Sequence, residues 1–318
     1  ERHCGDCGFY FGGGGIVSFD TVIAVDWSAR SSLSPRRPVA DAIFICCKHR
    51  AEPPEHPLYF RGRASALAYL YDLLERALSR AARVLIGFDF GFGYPRGFAK
   101  ALTGSDSALA VWNWLAERIE DRPDNSNNRF QVAAEINNRF PGIGPFWGAP
   151  AGQTYAGLPH RGSLRVGHGL PDLRLTEQAS GSAQSAWKLF TTGAVGSQTL
   201  LGISHLAGLR HWLGKRGSVW PFEAQAKQAA ASVTLTEIYP SLLSIPSAES
   251  FTVAFPDEPY HVLDARQVWA ACNFMSRVTD RPQNAASALS EMVADVPKSV
   301  LKEEGWIFGL SAQGAIGC

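Results

Sequence analysis

The chain has 318 residues, 46% of them hydrophobic and 19% charged, which suits a folded globular protein with a substantial core and excludes a chain dominated by disorder. Its formal net charge of +1 leaves any binding of nucleic acid or another anion to a local patch. No apolar run approaches the ~18 residues that a bilayer span needs, so no membrane partner is expected and a cytoplasmic protein is the expectation.

Residues 1–18 include Gly12-Gly13-Gly14-Gly15, carry no periodic pattern, and are expected to form a flexible N-terminal extension. Cys4-Gly5-Asp6-Cys7 has zinc-like spacing but no second ligand pair follows it, and the cysteines as a set suggest no disulfide framework. Residues 19–318 read as one α/β domain. The run Val22-Ile23-Ala24-Val25 predicts a buried strand that ends on Asp26, followed by a Ser/Arg/Pro-rich loop and two further strands, Ala40–Cys47 and Leu58–Arg61. Apolar residues at helical spacing (Leu67, Leu70, Tyr71, Leu74, Leu78) predict an amphipathic helix over Ala64–Ala82. A strand then runs from Val84 to Asp89, so the chain opens strand, strand, strand, helix, strand.

From about 101 to 186 an insertion is expected. Ser105 is placed to cap a helix with the stripe Ala108, Trp112, Leu115 and Ile119, and a second helix is expected over Asn128–Phe140. Glycines and prolines then break every pattern from Pro141 to Ala186, in a stretch carrying His160, Arg161, Arg165, His168 and Arg174, as long structureless segments at functional sites often do. Phe146-Trp147 within it reads as an aromatic pair free to stack on bases. Order resumes with a helix from about Gln198 to Leu213, a short edge-like strand at Val219–Phe222, a strand Val233–Glu237, a helix after Pro259 that begins near Asp264, and a last helix near Ala285–Val293.

Acids therefore close three buried strands, at Asp26, Asp89 and Glu237, and Asp264 starts a helix. In open α/β sheets ligands bind at the carboxyl ends of strands. Carboxylates gathered there repel one another unless a cation intervenes, and hard divalent ions such as magnesium or manganese take oxygen ligands. The plainer readings are a turn residue for Asp26 or Asp89 and a dipole-complementing charge for Asp264.

Val25-Asp26-Trp27-Ser28, Gly87-Phe88-Asp89-Phe90-Gly91-Phe92-Gly93-Tyr94-Pro95, Glu237-Ile238-Tyr239-Pro240, Asp264-Ala265 and Glu304-Gly305-Trp306-Ile307 resemble, in this order, the segments of a family of unknown function predicted to have a ribonuclease H-like fold. The resemblance covers about residues 20 to 310. It implies a mixed sheet flanked by helices and a metal-dependent, nuclease-type site at Asp26, Asp89, Glu237 and Asp264. It also implies a subgroup often labelled for molybdopterin guanine dinucleotide synthesis. The insertion at about 101–186 has no counterpart in a minimal ribonuclease H.

Thr191–Gln198 resembles an anion cradle, with Thr192, Gly193, Gly196 and Ser197 at the start of a helix and Lys188 in reach of the same phosphate. A capped helix start with turn glycines is the alternative. The expected function is a magnesium- or manganese-dependent phosphodiester hydrolase acting on nucleic acid or a nucleotide. The rivals are a nucleotide-binding phosphotransferase or molybdopterin-nucleotide-related enzyme on the same fold, and a non-catalytic nucleotide- or partner-binding module.

Overall fold

The computed structural model describes residues 18–258, 260–280 and 285–316. Most of the expected N-terminal extension, with Cys4 and Cys7, lies outside the described residues, as does Pro259. The sheet has six strands: β1 (Thr21–Asp26), β2 (Ile43–His49), β3 (Leu58–Phe60), β4 (Val84–Phe88), β5 (Gly217–Val219) and β6 (Val233–Glu237). Their order is β3-β2-β1-β4-β6-β5, with β1–β2 and β2–β3 antiparallel and the remaining pairs parallel. β1, β4 and β6 are buried along their whole length, as expected for the near-continuous apolar runs of β1 and β4 covered on both faces, while β6 buries Thr234, Thr236 and Glu237 as well.

Alternation sends Ile23, Val25, Ile86, Phe88 and Leu235 to one face, where they pack with Leu70 and Leu74 of α1 (Arg63–Ser79). Val22, Ala24, Phe44 and Leu85 go to the other face, under the long helix Leu263–Thr279. A Cβ on Gly87 would lie 2.6 Å from Ile238 and 3.0 Å from Met275 of that helix, so the glycine is what lets the helix sit this close to β4.

Between β4 and β5 come α2 (Phe98–Thr103), α3 (Ala108–Ala116), α4 (Arg129–Asn137), α5 (Leu175–Ser180) and α6 (Gly196–Leu213). α7 (Gln225–Ala230) precedes β6, and α8 (Ala248–Ala254), α9 (the helix Leu263–Thr279), α10 (Ala285–Glu291) and α11 (Lys298–Glu303) complete the chain. The expected longer helices are present. Ser107 takes the N-cap expected of Ser105, and Ile119 lies beyond the end of α3. The helices that periodicity missed, α2, α5, α7, α8 and α11, have 6 or 7 residues each, too few to display a 3.6-residue repeat.

Phe146 is not free for stacking. It is fully buried against Tyr94, Phe98 and Trp187, an aromatic knot that anchors the glycine-rich segment to the fold. Trp147 is partly buried, with Arg165 and Lys188 against its ring. No described helix is long and apolar enough to cross a membrane.

Candidate active site at the strand ends

β1 and β4 are parallel and in register, Val25 opposite Phe88, so the residues that follow, Asp26 and Asp89, emerge side by side. Both have the parity of Ala24 and Gly87, which points them toward the α9 layer. The first turn of α9 brings Asp264 to the same place, with its positive dipole end turned toward the acids.

Two of the three carboxylates are held by backbone N–H groups. The Trp27 N–H donates to Asp89 Oδ1 at 2.7 Å, and the Asp41 N–H donates to Asp264 Oδ2 at 2.7 Å. Asp41 has φ of 57°, and its carbonyl accepts from Ser28 Oγ at 2.6 Å, so the loop after β1 folds back over the acids.

Burial first, then the charges of Asp89 and Asp264, pushes Asp26 well above the usual carboxylate range. Burial also raises Asp89, to about 7, against the opposing pull of the Trp27 N–H. Asp264 is raised by burial as well, partly offset by the Asp41 N–H. Asp26 and Asp89 interact side chain to side chain, which raises Asp26 further and lowers Asp89, as happens between close carboxyls in a dry site.

Glu237 does not join this group. It lies opposite Phe88 across β4–β6, which gives it the parity of the α1 and α6 face, the reverse of Asp89. There Arg174 donates to both its oxygens, at 2.6 and 2.8 Å, and the Phe92 N–H donates to Oε2 at 2.9 Å. Arg174, read from sequence as part of a basic loop, is itself buried and also binds Glu177 at 2.9 Å. The four-acid set is therefore corrected to three. Among the described residues, Asp26, Asp89 and Asp264 do not place one oxygen each within 4.8 Å of both others, a spacing met by Cys47, His49 and Glu55. Since Asp26 and Asp89 touch, Asp264 is the one that stands off.

A cleft of about 630 Å³ opens between the loop after β1 and the turn before α6, bordered by Ser31, Asp41, Arg129, Thr192, Gly193 and Gln198; Asp26, Asp89 and Asp264 are not among the residues that line it. Gln198 Nε2 donates to the Trp27 carbonyl at 2.5 Å, so the cradle and Asp89 are both fastened to Trp27. Thr192 and Gly193 border the cleft as expected. Gly196 faces inward instead: its N–H donates to the Lys188 carbonyl at 2.8 Å, and a Cβ would meet the Ala186 carbonyl. Ser197 Oγ is buried, donating to the Leu189 carbonyl at 2.6 Å and accepting from Arg129 Nε at 2.9 Å. Lys188 Nζ is tied to the Thr192 carbonyl at 2.5 Å and is not among the residues bordering the cleft. The Gly196 N–H, the Ser197 hydroxyl and the Lys188 ammonium are thus engaged in shaping the turn, while Ser197 itself still borders the cleft.

Two cations border the cleft, Arg30 and Arg129, and of these Arg129 is buried, at 5% exposed. Its hydrogen bonds go to neutral oxygens of Ser197, Ser31 and Asn127. Burial, then Arg63, pushes it down to about 10, so it remains charged at neutral pH. Buried guanidinium groups ordinarily have an anion beside them. By composition alone Arg129 is indistinguishable from a solvated surface arginine. Its helical spacing with Ala133, Ile136 and Asn137 (i, i+4, i+7, i+8) was the available signal that it shares the buried face of α4.

No family model, curated protein or solved structure matches this chain.

Proposed function

We propose that the protein is a divalent-metal-dependent phosphodiester hydrolase whose acids are Asp26, Asp89 and Asp264 and whose substrate phosphate lies against Arg129. The observation that carries the reading is the Asp26–Asp89 contact at the ends of adjacent parallel strands, where buried carboxyls are held at a proton affinity that a cation would relieve. The strand-strand-strand-helix-strand opening over β1–β3, α1 and β4 supports the ribonuclease H-like reading.

The donor set fits magnesium or manganese. It is all oxygen, and such ions keep several waters, bind one or two carboxylates directly, and reach a more distant acid through water, which is the part Asp264 would take. When bound, the ion would supply charge neutralisation and an activated water. The chain's own contribution is positional. Trp27 orients Asp89, Asp41 orients Asp264, and the loop from Ser28 to Asp41 limits water at the acids. Arg129 and the first-turn N–H groups of α6 at Ser197 and Gln198 offer donors for a phosphate, on which an ester would be held with its scissile side toward the carboxylates.

The size of the cleft keeps a second reading in play. About 630 Å³ suits a single nucleotide rather than a long polymer groove, and a net charge of +1 gives little attraction for a polyanion. A nucleotide-binding phosphotransferase or molybdopterin-nucleotide-related enzyme would use the same residues. A binding module without catalysis would keep the Arg129 contact alone.

The test compares wild type with Asp26→Asn, Asp89→Asn and Arg129→Met on oligonucleotide and nucleotide substrates with magnesium and with manganese. Both asparagine variants are expected to lose at least about 10²-fold in rate, and Arg129→Met to weaken phosphate-ligand stabilisation in thermal shift while leaving the fold intact. Wild-type-like turnover in either asparagine variant rules out the assignment. Turnover of nucleotides but not oligonucleotides selects the second reading.

A further inference from the structure

At the opposite end of β1 and β2 from Asp26, the register places Thr21 opposite His49 and Ile23 opposite Cys47. Cys47 and His49, two residues apart on β2, share a face. The chain then turns back so that the Glu55 N–H donates to the Cys47 carbonyl at 2.8 Å and the Glu55 carbonyl receives Cys46 Sγ at 3.4 Å. Backbone contacts on both sides of Glu55 thus bring its carboxylate to the other two side chains.

Cys47 Sγ lies 3.9 Å from His49 Nε2, which lies 3.8 Å from Glu55 Oε1, and the three atoms all fall within 4.8 Å of one another. Ligands at ordinary zinc bond lengths in a tetrahedron stand roughly 3.3–3.6 Å apart, so a modest contraction, at most about an ångström on the Cys47–Glu55 side, closes these atoms on an ion. His49 Nδ1 is 3.1 Å from Thr21 Oγ1, the partner that a metal-bound imidazole needs to leave Nε2 as the ligand nitrogen. A cavity of about 400 Å³ adjoins the three, with Asp20, Tyr69, Arg76 and Arg80 on its walls.

We propose that Cys47, His49 and Glu55 bind one zinc ion, with the fourth coordination position open to that cavity and filled by water or a small anion. One sulfur, one nitrogen and one oxygen suit zinc and not the magnesium expected at the strand-end acids. On binding, the Cys47 thiol releases its proton to solvent. The ion's two positive charges are then balanced by one thiolate and one carboxylate, and the imidazole stays neutral. Three protein ligands with an open position are the pattern of a reactive or ligand-exchanging zinc rather than a closed structural one. The site stands apart from the Asp26–Asp89 cluster and does not depend on how that cluster is read.

The experiment titrates the metal-stripped full chain with zinc by calorimetry and with cobalt by absorption spectroscopy. Cobalt is expected to give a thiolate-to-metal charge-transfer band that disappears in Cys47→Ser and survives both in Cys4→Ser/Cys7→Ser and in Asp26→Asn. His49→Ala and Glu55→Gln, at half-exposed side chains where folding is not at risk, are expected to weaken zinc at least about tenfold. A thiolate band that persists in Cys47→Ser, the absence of any such band in wild type, or zinc affinity unchanged in both His49→Ala and Glu55→Gln overturns the proposal.

Discussion

Replacing Asp89 by Asn is expected to stabilise the metal-free protein while removing its response to magnesium. Asp89 is raised from 3.8 to about 7 in the fold. A carboxyl whose folded pKa lies above its unfolded value stabilises the fold fully below the unfolded pKa and loses that contribution as pH rises through the folded pKa. By pH 8 the folded protein therefore carries a buried charge that the unfolded chain would bear in water. The difference of about 3 pH units corresponds to roughly 4 kcal/mol, and because Asp26 and Asp89 titrate as an interacting pair about half of it, ~2 kcal/mol, is assigned to Asp89. Asparagine keeps the acceptor oxygen that receives the Trp27 N–H at 2.7 Å, so the hydrogen bond survives while the charge does not. Thermal unfolding at pH 8 in chelator is expected to show Asp89→Asn about 4 °C above wild type, with the gap closing toward pH 5. Adding magnesium is expected to raise wild type and leave the variant unmoved. A variant less stable than wild type at pH 8, or a gap that does not change with pH, would refute the claim that the acids are held together against their mutual repulsion.

The reassignment of Glu237 makes its own demand: Glu237→Gln should leave magnesium-dependent stabilisation intact, measured by the same thermal shift. Arg174→Met is expected to cost about 3–5 kcal/mol in chemical denaturation, because Glu177 and Glu237 then share a buried site without their cation. Loss of the magnesium response in Glu237→Gln as complete as in Asp89→Asn would restore the four-acid set. At Gly87, alanine would place a methyl 2.6 Å from Ile238 and 3.0 Å from Met275, costing about 1–3 kcal/mol as overpacking and displacing α9 with Asp264. Hydrolytic rate should fall in Gly87→Ala while phosphate stabilisation through Arg129 stays near wild type.

Much of this architecture is local in origin and so is legible along the chain. Val22–Val25 and Val84–Phe88 are strands because apolar, largely β-branched runs of that length bury both faces, and the acids that end them are visible as the points where burial stops. α1 and α9 show their periods because they run for 17 residues each with one apolar face. Asp26 and Asp89 could be named on that basis, and the register of β1 against β4 sets them side by side, with Asp264 standing off. What a single chain direction does not contain is the relation between elements. Whether Glu237 faces the acids depends on its register against β4, and a difference of one residue turned it to Arg174 instead. Arg129 looks like any surface arginine until α4 is packed, and Glu55 is an ordinary loop glutamate until its backbone is pinned to Cys47. Sequence determined where strands and long helices lie and which acids close them, since those follow from neighbours a few residues apart. Tertiary structure alone decided which face each charge takes and what it meets there, since pairing across 60 or more residues sets that choice.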